Sequence, residues 1–417
     1  MELKITNVGK ISLAEIEIKG LTIIAGPNAT GKSTVSRSLF AMFHSFSKIS
    51  DKITLEKIYA IQKMFFSSNK HFEFMLTCQL QPRELAAILA GDVDKNRINK
   101  TLHNSNPTFE SPELVEELSD DIIKINSTSE ELLHREIVAE IFIDEFNSHI
   151  TNIRSNSKSE IELVIKDSKN KVVFDNKNEL TAIEVGKDLS YEVVYIDDPF
   201  VINSYNFIQD KLQLTLYGDI SEKVSNHRSS LISQYKNAEK LTLVDKANLK
   251  EKLNVIYKKI NDTLGADMAL FENGKNSVES HLSSDRLSVD SLSSGMKTFY
   301  LIKRLIDNGS IVQNTTLILD EPEVHLHPDW QVSLAEIIVL LQKEMGLHIL
   351  INTHSPYFLR AIEVYSQKYA IAPCVKYYLS YNEEDISKIK DVTLDISKIY
   401  KVLSKPLQRI EDEAYND

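Results

Sequence analysis

The chain has 417 residues, of which 42% are hydrophobic and 26% charged, enough to bury a substantial core and unlike a disordered or fibrous composition. Lys and Arg total 48 against 60 Asp and Glu, a net charge of −12 that argues against nonspecific nucleic-acid binding over the whole surface but leaves room for a local basic patch. Two cysteines, Cys78 and Cys374, are too few for a disulfide scaffold, no apolar run approaches the ~20 residues of a membrane span, and no signal-peptide pattern opens the chain, so a soluble cytoplasmic protein is expected.

Residues 2–6, 12–18 and 20–25 read as strands around short turns. The third feeds Gly26, Pro27, Asn28, Ala29, Thr30, Gly31, Lys32, Ser33 and Thr34, a complete phosphate-binding loop with a helix-compatible run behind it. Such a loop aims successive backbone N–H groups at one point, where they meet nucleotide phosphates at the positive end of the helix. Lys32 is placed to reach the β- and γ-phosphates and the Ser33 hydroxyl to complete a Mg²⁺ shell.

From 36 to 147 the pattern is mainly helical, broken by polar loops. Segments 160–166 and 171–174, with Asp167–Asn170 between them, read as a hairpin, and 191–196 as a further strand ending in Asp197, Asp198 and Pro199. That acid pair admits a second metal site, but a strand end turned by proline is the simpler reading. Residues 204–270 are rich in Lys and Glu with apolar positions at helical spacing, as at Leu249, Leu253, Ile256 and Ile260, which suits packing against a core.

Three later segments carry chemistry. Leu292 to Met296 opens a helix with a Ser-Ser-Gly turn containing Ser293 and Gly295; alone, that is an ordinary N-cap. Thr316–Asp320 is an apolar strand ending in Asp320 and Glu321, which suits one carboxylate on a metal shell and a neighbour on an attacking water. His348–Thr353 is another apolar strand, tipped by His354. After it come a helix at Tyr357–Tyr365, a strand near Val375–Ser380 and a C-terminal helix near Ile396–Glu413. The scattered histidines His103, His134, His149 and His227 form no nuclease-like cluster and read as structural or surface residues.

In this order and spacing the motifs resemble the ABC-type ATPase heads of the SMC-like, RecF-like and OLD-like branch, over about residues 1–40 and 285–360. Within it, the run from Glu321 through Trp330 to His354–Phe358 is similar to ATPase subunits of anti-phage systems such as Septu and the retron-associated ATPases. The resemblance implies an α/β P-loop NTPase with ABC-ATPase head architecture, a mixed sheet core and helical insertions. It implies an ATP-binding lobe over 1–200 that contains the 36–147 insertion and the hairpin. A helical insertion over 201–285 and a second lobe over 286–417 follow.

It also implies roles. Asp320 would hold Mg²⁺ beside Ser33, Glu321 would activate water, and His354 would contact the γ-phosphate. Ser293 and Gly295 would act on the ATP of a second protomer, and His325–Pro328 would cross that interface. Ser294 and Met296 depart from the usual glycine and glutamine of the signature. The coupling glutamine is left open among Gln62, Gln79, Gln81, Gln209 and Gln213. The expected protein is an ATPase that forms a homodimer or higher homo-oligomer, makes no membrane contact, meets nucleic acid through a complex, and regulates a co-encoded effector nuclease in anti-phage defence. A RecF-like repair ATPase and a slow-turnover nucleotide-sensing scaffold are the alternatives.

Overall fold

The computed structural model describes residues 1–152, 157–187, 189, 193–203, 226–236, 241–264, 266–267, 277–280 and 286–415. Within them the strands are β1 (Glu2–Val8), β2 (Ile11–Glu17), β3 (Leu21–Ala25), β4 (Ser159–Ile165), β5 (Ser168–Phe174), β6 (Leu180–Glu184) and β7 (Val193–Ile196). A short β8 (Ala266–Asp267), β9 (Ser277–Ser280) and β10 (Arg286–Ser288) form a small separate sheet. They are followed by β11 (Thr316–Asp320), β12 (His348–Thr353), β13 (Val375–Glu383) and β14 (Ile386–Asp391).

The main sheet runs β6-β5-β4-β1-β2-β14-β13-β3-β12-β11-β7. Its β6-to-β2 half is antiparallel, and the half from β13 to β7 is parallel. The division follows composition. β3 and β11 are buried at every position, the pattern of strands covered on both faces, whereas β1 and β4 alternate buried and open positions as half-covered strands do.

Two units divide the chain. The first comprises 1–46, 141–207 and 223–417 and holds the whole main sheet. Helix α1 (Lys32–Phe46) packs on one face of the sheet through Val35, Leu39 and Phe40. The odd-numbered residues of the central strands, Leu21, Ile23, Leu317, Leu319, Ile349 and Ile351, share a core with Phe299, Leu305, Ile337, Leu341 and Phe358 on the other.

The second unit comprises 47–140 and 208–222, of which the latter lies outside the described residues. It contains α2 (Ile49–Met64), α3 (Asn69–Thr77), α4 (Pro82–Leu89), α5 (Lys95–Ser105) and α6 (Pro112–Asn126). These bury their own core of Ile61, Phe65, Phe74, Leu85, Leu102, Leu118 and Ile122. Boundaries are set by caps: Ser68 and Asp94 accept N–H bonds at the starts of α3 and α5, and Pro112 opens α6. Helix α7 (Glu130–Glu145) runs across the boundary at residue 140.

The helical insertion expected over 36–147 thus differs at its start, because α1 stays with the sheet to residue 46. The stretch expected to be helical over 201–285 is so at α8 (His227–Lys236), α9 (Leu243–Lys252) and α10 (Asn254–Leu264), all within the first unit, but it also carries β8 and β9; residues 204–225, 237–240, 265, 268–276 and 281–285 lie outside the described ones. The remaining helices are α11 (Ser294–Asp307), α12 (Pro328–Met345), α13 (Pro356–Lys368), α14 (Ser397–Leu403) and α15 (Lys405–Tyr415). No described helix is long and apolar enough to cross a membrane.

Candidate nucleotide-binding site

Three parallel strands, β3, β12 and β11, lie side by side and end at the same edge of the sheet. Their in-register pairing sets Ala25 beside Thr353 and Asp320 beside Asn352, so the segments that follow each strand meet.

The loop after β3 turns through Ala29 at φ 59° and Gly31 at φ 86° before α1 begins at Lys32. The Gly31 conformation is one that side-chain-bearing residues rarely adopt. Gly26 is required for a different reason: a Cβ there would stand 2.0 Å from the backbone oxygen of Ser380 on β13. The β13–β14 hairpin presses against the loop from the outside. Ser380 Oγ donates to the Thr30 carbonyl at 2.6 Å, and Asn382 Nδ2 to that of Ala29 at 3.4 Å.

Lys32 is buried and its ammonium donates to the carbonyls of Gly26 and Pro27 at 3.0 and 2.9 Å. Glu321 Oε1 is 3.5 Å from the same nitrogen and 3.3 Å from His354 Nδ1. The imidazole beside it, outweighing partial burial and helped by Lys32, holds the Glu321 carboxyl below the usual range, and the carboxylate in turn raises His354.

Asp320 is held from both sides. Tyr195 of β7 donates its hydroxyl proton to Oδ2 at 3.0 Å, and Asn352 of β12 donates to Oδ1 at 2.8 Å. Asn352 Nδ2 is also 2.8 Å from Ser36 Oγ on α1, which ties the acidic strand to the helix behind the phosphate loop.

Sequence reasoning missed Glu323. It is buried, and its Oε1 accepts from Thr353 Oγ1 at 2.5 Å and from the His354 backbone N–H at 3.1 Å, so it fixes the turn that carries His354. Burial raises its carboxyl despite those donors. Its place two residues after Glu321 was the available signal. Tyr195 and Asn352 were missed too; Asn352 is conspicuous only as a polar residue inside an apolar strand.

Beside the phosphate loop a cleft of about 600 Å³ is lined by Asn28, Lys32, Ser33, Thr34 and Glu321, with Lys10 and His149 also in its wall. Ser293 and Gly295 do not line it. Ser293 caps α11, accepting from the Met296 N–H at 3.4 Å, and Gly295 is buried beside Leu326 and Trp330. His325 has φ 67° and His327 caps α12.

The Asp197–Asp198 pair is a strand end. Asp197 faces Arg228 and His227, and Asp198 caps the turn by accepting from the Phe200 N–H at 2.8 Å. Of the candidate coupling glutamines, Gln62, Gln79 and Gln81 lie in the second unit, while Gln209 and Gln213 lie outside the described residues.

The donor set fits a Mg²⁺-bound nucleotide. A Ser33 hydroxyl at the loop and an Asp320 carboxylate whose two oxygens are each fixed by one neutral donor are hard oxygen ligands of the kind Mg²⁺ prefers.

Solved structures and one family model are similar to this chain. The SMC head domain from Thermotoga maritima is 11% identical over 94% of this chain and 98% of its own, with a TM-score of 0.40. The SmcHead bound to the C-winged helix domain of ScpA is 10% identical over 95% and 98%, at 0.47. The Smc head domain with an extended coiled coil bound to the C-terminal domain of ScpA, from Pyrococcus furiosus, is 11% identical over 97% and 98%, at 0.43. A search of curated proteins gave no match. The family model described as AAA ATPase domain matches residues 1–359, a span that takes in the phosphate loop, the acidic strand and His354, and the chain belongs to that family.

Proposed function

We propose that the protein is an ABC-type ATPase of the SMC- and RecF-like branch that binds ATP with Mg²⁺, dimerises through its heads and hydrolyses the nucleotide. Through that cycle it regulates a separate effector, a co-encoded nuclease, in anti-phage defence of the Septu or retron-associated kind. The observation that carries the reading is the meeting of Lys32, Glu321 and His354 beside the phosphate loop, with Glu321 Oε1 within 3.5 Å of the Lys32 ammonium and the His354 imidazole.

In this reading Lys32 exchanges two loop carbonyls for phosphate oxygens and pairs with their charge before and during reaction. The loop N–H groups and the start of α1 face the same anion. Ser33 and Asp320 would hold Mg²⁺, which when bound neutralises charge on the phosphates. Glu321 orients the attacking water and takes its proton, and His354 donates toward the oxygens where charge builds. Ser293 and the Gly295 N–H serve the nucleotide of a second copy, so a two-fold pair holds two composite sites.

The separate effector rests on motif content: the chemistry-bearing motifs are all spent on one nucleotide site, and the inserted helices offer surface that such a site does not use. The protein should fractionate with the cytoplasm of its host, and once purified it should release phosphate from ATP while cleaving neither DNA nor RNA; a tagged copy should retain a nuclease subunit when the native operon is expressed. Metal-dependent cleavage by the isolated chain, abolished by Glu321→Gln and absent from a mock purification, contradicts the separate effector. Failure to bind ATP at all contradicts the site.

A further inference from the structure

Behind the acidic strand lies a group of buried charges that the proposed reaction does not use. Tyr195 is only 2% exposed, with Phe40 at 6.1 Å between ring centroids and the His227 imidazole stacked on it at 4.3 Å and 27°. His227 is itself gripped at both ring nitrogens. Nδ1 is 2.8 Å from Glu145 Oε1 at the end of α7, and Nε2 is 3.1 Å from Asp197 Oδ2 at the end of β7. Its backbone N–H also donates to Glu145 Oε2 at 2.9 Å, and Arg228 closes the cluster on Asp197 at 2.9 Å.

Buried ion pairs are a poor route to stability, because desolvation offsets most of their attraction. What they do well is hold a side chain in one place. Here the side chain held is Tyr195, whose hydroxyl reaches one oxygen of Asp320 while Asn352 holds the other.

We propose that Tyr195 is a positioning residue for Asp320, and that the Glu145–His227–Asp197 bracket behind its ring fixes where the hydroxyl points. The proposal rests on the reading of Asp320 as the acid that meets the Mg²⁺ of a bound nucleotide. With donors from both flanking strands the carboxylate cannot rotate, and each oxygen keeps a lone pair in a set direction. Without the Tyr195 hydroxyl, one oxygen is released and the carboxylate must be ordered at the expense of metal binding.

The test uses full-length protein and a non-hydrolysable ATP analogue, titrated by calorimetry in EDTA and in rising Mg²⁺. Tyr195→Phe should bind the analogue in EDTA as wild type does, and need about tenfold more Mg²⁺ to reach half of the metal-dependent gain. In an Asp320→Asn background the same change should add nothing, since the interaction it removes is already altered. His227→Gln, which keeps the hydroxyl but loosens the ring, should raise the Mg²⁺ requirement in the same direction by less, and it decides the matter if Tyr195→Phe does not fold. An unchanged Mg²⁺ requirement in the folded variant, or a Tyr195→Phe effect that persists in full beside Asp320→Asn, overturns the proposal while leaving the nucleotide site standing. Wild type that binds the analogue in neither condition overturns both.

Discussion

Glu321 Oε1 lies 3.3 Å from His354 Nδ1 and 3.5 Å from Lys32 Nζ, so one carboxylate oxygen faces an imidazole and an ammonium group. Both neighbours favour its ionised form and make it a weaker base than a free glutamate. On the proposed function, phosphates that draw Lys32 and His354 onto themselves would relieve that restraint and raise the basicity of the carboxylate. The contact is complete only in a middle range of pH. Glu321's share is present above its ordinary value of 4.5 and lost as pH falls through its lowered pKa; His354's is present below 6.5 and lost as pH rises through its raised one.

His354→Gln removes the main group that lowers Glu321. The acid limb of the pH profile of kcat/KM for ATP hydrolysis, which reports the free enzyme, should therefore move to higher pH. An acid limb that stays in place or moves down separates the two residues.

Lys32 and Glu321 should fail in different ways. Lys32→Ala removes a charge that pairs with phosphate throughout, so retention of labelled ATP on filters and turnover should both collapse. Glu321→Gln keeps the shape and loses the base, so ATP should still be retained while turnover drops roughly 10²- to 10⁴-fold. Equal loss of binding in both variants contradicts the division of roles.

Ser293 caps α11 and is not among the residues lining the cleft that Lys32 lines, and the proposed function has it act on the nucleotide of another copy. Mixed Lys32→Ala and Ser293→Arg subunits should regain about a quarter of wild-type turnover at equal amounts, because half of random dimers are mixed and each has one intact composite site. Two inactive variants that stay inactive at every ratio, with subunit exchange demonstrated, mean that the site is built within one chain.

Gly26→Ala puts a Cβ 2.0 Å from the Ser380 oxygen, and neither backbone can yield without parting the loop from β13. Nucleotide binding should be lost, with a stability cost of about 1–3 kcal/mol in denaturant unfolding. Ser380→Ala, which deletes only the 2.6 Å hydrogen bond to Thr30, should cost about 1 kcal/mol and leave binding measurable. Normal binding by Gly26→Ala shows that the hairpin is not needed to shape the loop.

The contrast between those two positions marks what the sequence could reveal. The phosphate loop was legible because its geometry is local: nine successive residues between an apolar strand and a helix specify it. The brace from β13 and β14 was not, because Ser380 meets Thr30 across 350 residues, and β14 was not foreseen as a strand at all. The hairpin of β4 and β5 was foreseen with its turn at 167–170. It turns instead at Lys166 and Asp167, with Lys166 at φ 54°, and Asn170 is buried in the second strand, its side-chain oxygen accepting from the Gly186 N–H. A polar tripeptide looks like a loop until the partner that satisfies it is known. His227 read as an isolated histidine for the same reason, since Glu145 and Asp197 lie far from it in sequence.

His227 also links stability to pH. Burial alone would lower its pKa, but hydrogen-bonding and charge from Asp197 and Glu145 raise it from 6.5 to about 9. Its contribution is present in full below pH 6.5 and is lost as pH rises through about 9. Asp197, which burial would raise but His227 and Arg228 hold at about 2, contributes above pH 3.8 and weakens only as pH falls toward 2. The melting temperature of wild type should fall between pH 6.5 and 9.5, while His227→Gln, about 3 kcal/mol less stable at neutral pH because it takes the cation from between Glu145 and Asp197, should show a shallower decline. Parallel curves for the two proteins remove the histidine from this dependence.

The place of β3 in the sheet bears on the order in which the molecule is made. β3 is flanked by β12 and β13, so its ladder partners are His348–Thr353 and Val375–Glu383, and until those segments have been translated it has no neighbour on either side. The phosphate loop is translated long before either partner strand, and until then it has neither the Thr353 carbonyl for the Gly26 N–H nor the Ser380 backbone to lean on. Helices α2 to α6, which close a core of their own from contiguous residues, can fold while the chain is still growing. A nascent chain stalled before residue 348 therefore carries an apolar strand with both edges open, the kind of surface that chaperones cover.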